Sequence, residues 1–312
     1  MRASVIASLL GALAVLPLAC SATHDQTDPG AFTADVDSGG GGFTIDGGPG
    51  GDGGGLQGDA VSSEGGPSGD DCPEELKQVY VVTEGNELYR FAPATLTFTK
   101  IGVVNCPSTG FGSSPFSMAV DRKGVGWVLF NDGHIFHVST KDASCTATSY
   151  AVDQGGFHTF GMAFVSNAAG SSAETLYVAD YNGTGIAKID TSTLKLSFVG
   201  AYGVSAGAGE LTGTGDAHMY AFFNQSPSRV AEVDRTTGKI KSMKDVPGLT
   251  VGSGWAFAHW GGSFWLFTAP SGTSQVNQYD FTAGTSKVVV SSLGYIIVGA
   301  GVSTCAPFAP PK

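Results

Sequence analysis

Residues 185–200 read GIAKIDTSTLKLSFVG, and their pattern decides the architecture. Two apolar residues flank a two-residue gap, and Asp or a small residue follows. The pattern returns as LYRFAPATLTFTKIG from Leu88, IFHVSTKDASCTATS from Ile135, VAEVDRTTGKIKSMK from Val230 and VNQYDFTAGTSKVVV from Val276. Counted from Ile186 for the quoted copy, successive starts lie 47, 51, 44 and 46 residues apart. Each copy follows a short run rich in β-branched and aromatic residues: VYVVT, GWVLF, TLYVAD, HMYAFF and SFWLFT. These runs are bounded by Gly, Asp, Asn and Ser and read as strands. A further run precedes four of them: FSMAVD, FGMAFV, GELTGTG and GWAFAHW. The repeating unit is therefore four strands, and the quoted phrase is the third strand with its turn into the fourth.

A four-stranded unit at this period predicts a β-propeller. One twisted sheet cannot bury both faces alone, whereas radial packing covers each face with a neighbouring blade. The Asp of the phrase (Asp190, Asp234, Asp280) is expected to cap the turn by accepting from backbone N–H groups ahead of it. Ala92 and Ser139 stand in its place in two copies, with no compensation visible in the sequence. The first unit lacks its first strand, and YIIVGAGVSTCAP near the C-terminus is a first strand with nothing after it. Joined, they make one blade. The prediction is an all-β, five-bladed propeller of four-stranded antiparallel blades, closed by the C-terminal strand. Closure brings Cys305 beside Cys72 and predicts a disulfide between them. Cys106–Cys145 then follows by elimination.

The totals divide the chain into three parts. Of the 27 acidic residues, ten lie between Ser21 and Asp71, where there is no Lys or Arg. From Cys72 onward there are 17 acidic and 15 basic residues, so that part is near neutral and shows no basic face for nucleic acid. Residues 20–71 include SGGGGFTIDGGPGGDGGGLQGD, too poor in apolar residues to offset the entropy of ordering. They are expected to form a disordered Gly/Asp-rich tether. Residues 1–19 are read as an export signal: Arg2, then the 12-residue run VIASLLGALAVL, then LPLAC. Leu18-Ala19-Cys20 resembles a bacterial lipobox, which implies lipidation of Cys20. Residues 72–312 form the propeller.

The phrase VAEVDRTTGK resembles the repeat of quinoprotein-like and other exported bacterial propellers. The Trp that docks blades in quinoprotein propellers has no counterpart in the copies, so no cofactor is expected. The layout of lipobox, Gly/Asp tether and short propeller resembles exported lipoproteins of the myxobacterial kind. That resemblance implies an outer-membrane address, lipid-anchored, facing the periplasm or the cell surface, with secretion as the alternative.

Chemistry is sought where propellers place it, along the innermost strands and at one rim. Aligning the first strands puts Ser117, Gly161, Glu210, Trp255 and Gly299 at one level of the central channel. Glu210 is the one carboxylate there: facing the confined channel it would have a raised pKa or a bound cation, and the alternative is a solvated Glu at the channel mouth bonding backbone amides of the adjacent blade. Its segment also carries Asp216 and His218. Trp255 and His259 belong to the Trp-rich run GWAFAHW, and His158 to the loop DQGGFHTF. These six residues are the candidate binding set. A glycoside hydrolase needs two or three converging carboxylates, and the other first-strand acid, Asp121, stands at the far end of its strand. No Gly-x-Ser-x-Gly elbow occurs, and no Cys/His cluster suggests a metal. The expectation is a monomeric, non-enzymatic binding or scaffold module for a protein or glycan, touching the membrane through its lipid anchor alone. The alternative is a polysaccharide-active hydrolase or lyase with its site in the channel.

Overall fold

The computed structural model describes residues 72–107, 110 and 112–310. The signal segment, Cys20 and the tether lie outside the described residues. Among the described residues, twenty strands follow a short 3-10 turn at Glu74–Lys77. The first blade contains β1 (Val79–Thr83), β2 (Glu87–Ala92) and β3 (Thr97–Val103). The second is β4 (Pro115–Val120), β5 (Val125–Phe130), β6 (Ile135–Ser139) and β7 (Cys145–Ala147). The third is β8 (Phe160–Ser166), β9 (Glu174–Asp180), β10 (Ile186–Ile189) and β11 (Leu196–Gly200). The fourth is β12 (Gly209–Gly213), β13 (Met219–Phe223), β14 (Arg229–Val233) and β15 (Ile240–Asp245). The fifth is β16 (Trp255–Trp260), β17 (Ser263–Thr268), β18 (Gln275–Asp280) and β19 (Thr285–Val290), and β20 (Ile297–Val302) ends the series.

The five sheets are antiparallel, and β20 pairs with β1 to complete the first blade in the order β20-β1-β2-β3. The ring is therefore closed as the sequence predicts. Both disulfides form as expected, Cys72–Cys305 and Cys106–Cys145.

The inner strands β4, β8, β12, β16 and β20 pass close to one another in that order around the axis. Glycine makes the approach possible: a Cβ on Gly161 would lie 2.6 Å from Glu210 Cα, and one on Gly213 would lie 2.1 Å from Phe164 O. The apolar residues form five clusters, one at each blade interface. Phe91, Ala258, Trp265 and Ile297 join blades five and one, and Tyr80, Met118, Val128 and Phe136 join one and two. Trp127, Phe160, Met162 and Leu176 fill the next gap, Val165, Leu211, Ala221 and Ala231 the one after, and Phe222, Phe257, Leu266 and Tyr279 the last. The two apolar residues of each phrase copy lie inside these cores, as Leu88 and Phe91 do at 0% exposure.

The turn after each copy is built as the sequence suggests. Asp234 Oδ1 accepts from the amides of Thr236 and Thr237, and Asp190 Oδ1 from those of Ser192 and Thr193. Side-chain hydroxyls of Thr236 and Ser192, followed by these amides, hold the two carboxyls down at about 2. One expectation is corrected: Ser139 does compensate for its missing carboxylate, because its Oγ accepts from the Lys141 amide. Four residues past the capping position the backbone always turns left-handed, at Leu96, Ala143, Leu194, Gly238 and Gly284. This geometry generally favours glycine, yet three of the five copies use another residue.

Candidate functional site

All inner strands run in one direction, since residues 161, 164 and 166 of β8 meet successively later residues of β12 and its exit. The propeller therefore has an entry rim, where inner strands begin, and an exit rim, where they end. This polarity sorts the six candidate residues.

Glu210 is not at a channel mouth. It is 3% exposed and its Oε2 is 2.8 Å from Ser117 Oγ. Ser117 belongs to blade two and Glu210 to blade four, which are not neighbours in the ring. The pair therefore spans the axis and fills the channel at its level. Burial pushes the carboxyl well above its ordinary range, against a smaller opposing effect of the Ser117 hydrogen bond. The protonated form is the one this environment supports. At the exit end a Cβ on Gly215 of blade four would lie 2.5 Å from Thr304 O, which follows β20 on the far side of the ring. The axis is thus packed with protein at two levels.

Asp216, His218 and His259 gather at the exit rim, away from His158 and Trp255. The rings of His218 and His259 lie nearly parallel to Tyr220, with centroids 6.1 and 6.0 Å away. His218 Nδ1 is 3.0 Å from Glu232 Oε1, which also receives Lys241 Nζ at 2.6 Å. His259 is 8% exposed, and burial lowers its imidazole to about 4, so it is neutral near pH 7. Asp216 Oδ1 is buried without a hydrogen-bond partner among the described residues. No group of three or more His, Cys, Asp or Glu side chains among the described residues is placed to hold a metal ion. Asp121 lies at this rim too, its Oδ1 accepting from the amides of Lys123 and Val125.

At the entry rim His158 is exposed and sits 2.6 Å from Asp153 Oδ1. Trp255 is half-buried and opens β16. It does not share Glu210's level. The His259 amide meets Thr212 Oγ1 at 2.9 Å, so Phe257 is the residue of β16 beside Glu210, and Trp255 lies nearer the rim.

Two further residues give Trp255 its context, and neither was singled out from the sequence. Tyr181, in the turn after β9, is 38% exposed. Its ring lies 5.2 Å from Phe116 of β4, edge to face, and 6.4 Å from Trp255. Blades two, three and five thus contribute three rings that meet at the entry rim, over the filled channel. Trp255 is braced from below by Phe222 at 5.5 Å. Neutral polar residues neighbour the platform in the chain: Asn182 follows Tyr181 and Ser253 stands two residues before Trp255, while Gln225 lies against Gly207, which abuts Gly183 of the Tyr181 turn. Aromatic rings bordered by small polar residues offer contact area at low entropic cost.

No protein-family model matches the chain, and no curated protein matches it in sequence. Solved structures do resemble it. A chain from the "Nidogen/Laminin Complex" aligns over 72% of this chain and 97% of its own, at 10% identity and a TM-score of 0.46. A Bacteroides caccae protein of unknown function aligns over 72% and 97%, at 11% identity and a TM-score of 0.41. Kuenenia stuttgartiensis hydrazine synthase aligns over 77% and 70%, at 15% identity and a TM-score of 0.38. These likenesses are too distant to carry an argument about function. A propeller fold is compatible with a binding or scaffold module.

Proposed function

We propose that this protein is a non-enzymatic binding module, lipid-anchored at the outer membrane, which takes a protein or glycan on its entry rim. The observation that carries the reading is the platform of Phe116, Tyr181 and Trp255, half-buried or exposed and drawn from three blades. The chain path supports the same assignment. Cys72, the first described residue, is tied to Cys305 just beyond the exit end of β20, at the rim opposite the platform. The channel alternative is not supported by the geometry, because Glu210 and Ser117 occupy the axis and Asp121 is engaged in a turn at the exit rim.

The test is a combined glycan and protein array probed with the labelled full chain. Binding should be lost in Tyr181→Ala and kept in Lys123→Ala, an exit-rim comparator. Hits indifferent to Tyr181→Ala, or release of reducing ends from a bound polysaccharide, would contradict the reading. The anchor is tested separately. Lipidation of Cys20 follows from the lipobox-like segment, and stable anchoring requires more than one lipid chain. A Cys20→Ala variant should leave the membrane fraction, and full retention there would refute the anchor.

A further inference from the structure

The two rims differ in charge in a way that composition hides. Among the described residues, ten connections lie on the entry side: residues 84–86, 104–107 with 110 and 112–114, 131–134, 148–159, 181–185, 201–208, 224–228, 246–254, 269–274 and 291–296. None of them contains a Lys or Arg. Exit-side connections carry Arg122, Lys123, Lys141, Lys195, Arg235 and Lys239. The entry-side acids are Glu84, Asp132 and Asp153. Asp153 is engaged with His158, and Asp132 Oδ2 receives the Ser113 hydroxyl at 2.8 Å. The remainder of these segments is dominated by Gly, Ser, Thr and Asn.

From this distribution and the three-ring platform we infer that the entry rim binds an uncharged glycan chain. The inference rests on the entry rim being the ligand face. The cations at the strand ends bordering this rim are engaged, Arg229 with Asp245, Lys100 with Glu87 and Lys244 with the Thr282 carbonyl, so an anionic polymer would meet three carboxylates in these connections and no Lys or Arg to compensate its desolvation. A pyranose differs in what it needs. Its C–H faces pack on aromatic rings, and its hydroxyls exchange hydrogen bonds with neutral amides and hydroxyls such as those of Asn182, Ser253 and Gln225. Aromatic rings also attract quaternary ammonium groups. A cage for such a cation needs rings facing it from several sides. Here Tyr181 and Trp255 are inclined by 33° with centroids 6.4 Å apart, Phe116 stands edge to face with Tyr181 at 73°, and choline in the titration distinguishes the two ligand classes.

The experiment is calorimetric titration of the full chain with neutral hexasaccharides of glucose, mannose and galactose. Oligogalacturonate and choline serve as charged comparators. At least one neutral hexasaccharide should bind, with affinity changing less than about twofold between low and high salt because no ion pair is screened. Tyr181→Ala should weaken it about tenfold or more, a loss of about 1.4 kcal/mol or above. Tyr181→Phe should retain most of it. Binding of oligogalacturonate or choline alone, or of no hexasaccharide, would overturn the inference. Tyr181-dependent capture of a protein on the array would then leave the module reading standing while removing the glycan. Indifference of every ligand to Tyr181→Ala removes both.

Discussion

A chain ending at Leu293 is expected to show no cooperative melting transition, although it retains nineteen of the twenty strands. The reason lies in ring closure. β1 is buried at all five positions and pairs with β20 from Val79↔Val302 to Thr83↔Ile297. Without β20 that strand becomes an unpaired inner edge, and the core between blades five and one loses Ile297, Ala300 and Val302. The Ser117 and Met118 backbone that Gly299 packs against is uncovered as well. Losses on that scale exceed the roughly 5–15 kcal/mol that stabilises an ordinary domain. The paired variant Cys72→Ser/Cys305→Ser removes only the clamp, whose residues are 233 apart in sequence. Loop entropy credits such a clamp with up to about 5 kcal/mol, so this variant should still fold with a lowered Tm. Circular dichroism melts check both, and an unchanged transition in the truncated chain would refute closure.

The second large effect is expected at Glu210. Its folded carboxyl titrates well above the ordinary 4.5 because it is buried. Between pH 4.5 and its folded pKa the native state therefore binds the proton more tightly than the unfolded chain. Stability from this group is complete below pH 4.5 and is lost as pH rises through the folded pKa. Glu210→Gln keeps the shape and never ionises. It should match the wild type below pH 4.5 and become progressively more stable than it above, by about 1.4 kcal/mol for each pKa unit of the shift. Taking the difference between variant and wild type cancels the contributions of His259, lowered to about 4, and Glu174, raised to about 6. Glu210→Ala should destabilise the domain by about 1–3 kcal/mol even at low pH, since it leaves Ser117 unsatisfied. Denaturant titrations across pH measure both. A pH-independent difference for Glu210→Gln would show that the carboxyl is not buried in the folded state.

The architecture was legible because it depends on local periodicity. Five phrase copies, their spacing and the incomplete end units specify the blades, the closure and the Cys72–Cys305 pair. The site was legible only in part. Trp255 stood out as a member of a Trp-rich run, but its partners Phe116 and Tyr181 lie 65 residues apart in segments with no distinctive motif. Their meeting depends on how three blades are oriented about the axis. Glu210 was identified as the unusual inner-strand carboxylate, yet its depth could not be read from β12 alone. That depth is set by Ser117 reaching from blade two and by the width of a ring whose inner strands touch at glycines. The alignment that placed Trp255 level with Glu210 failed by two residues for the same reason. Apolar patterning fixes which face a strand buries, not how far it slides along its neighbour. The charge asymmetry between the rims was present in the sequence throughout, and it became visible once each connection could be assigned to a rim.

Hydrogen exchange on the full chain, with and without a saturating concentration of the tightest array ligand, tests the central claim most directly. Protection should concentrate at residues 112–116, 181–185 and 252–255 of the entry rim, while the exit-rim turns at 121–124 and 214–218 keep their free-state rates. Protection centred on those exit-rim turns instead would contradict the assignment of the ligand face.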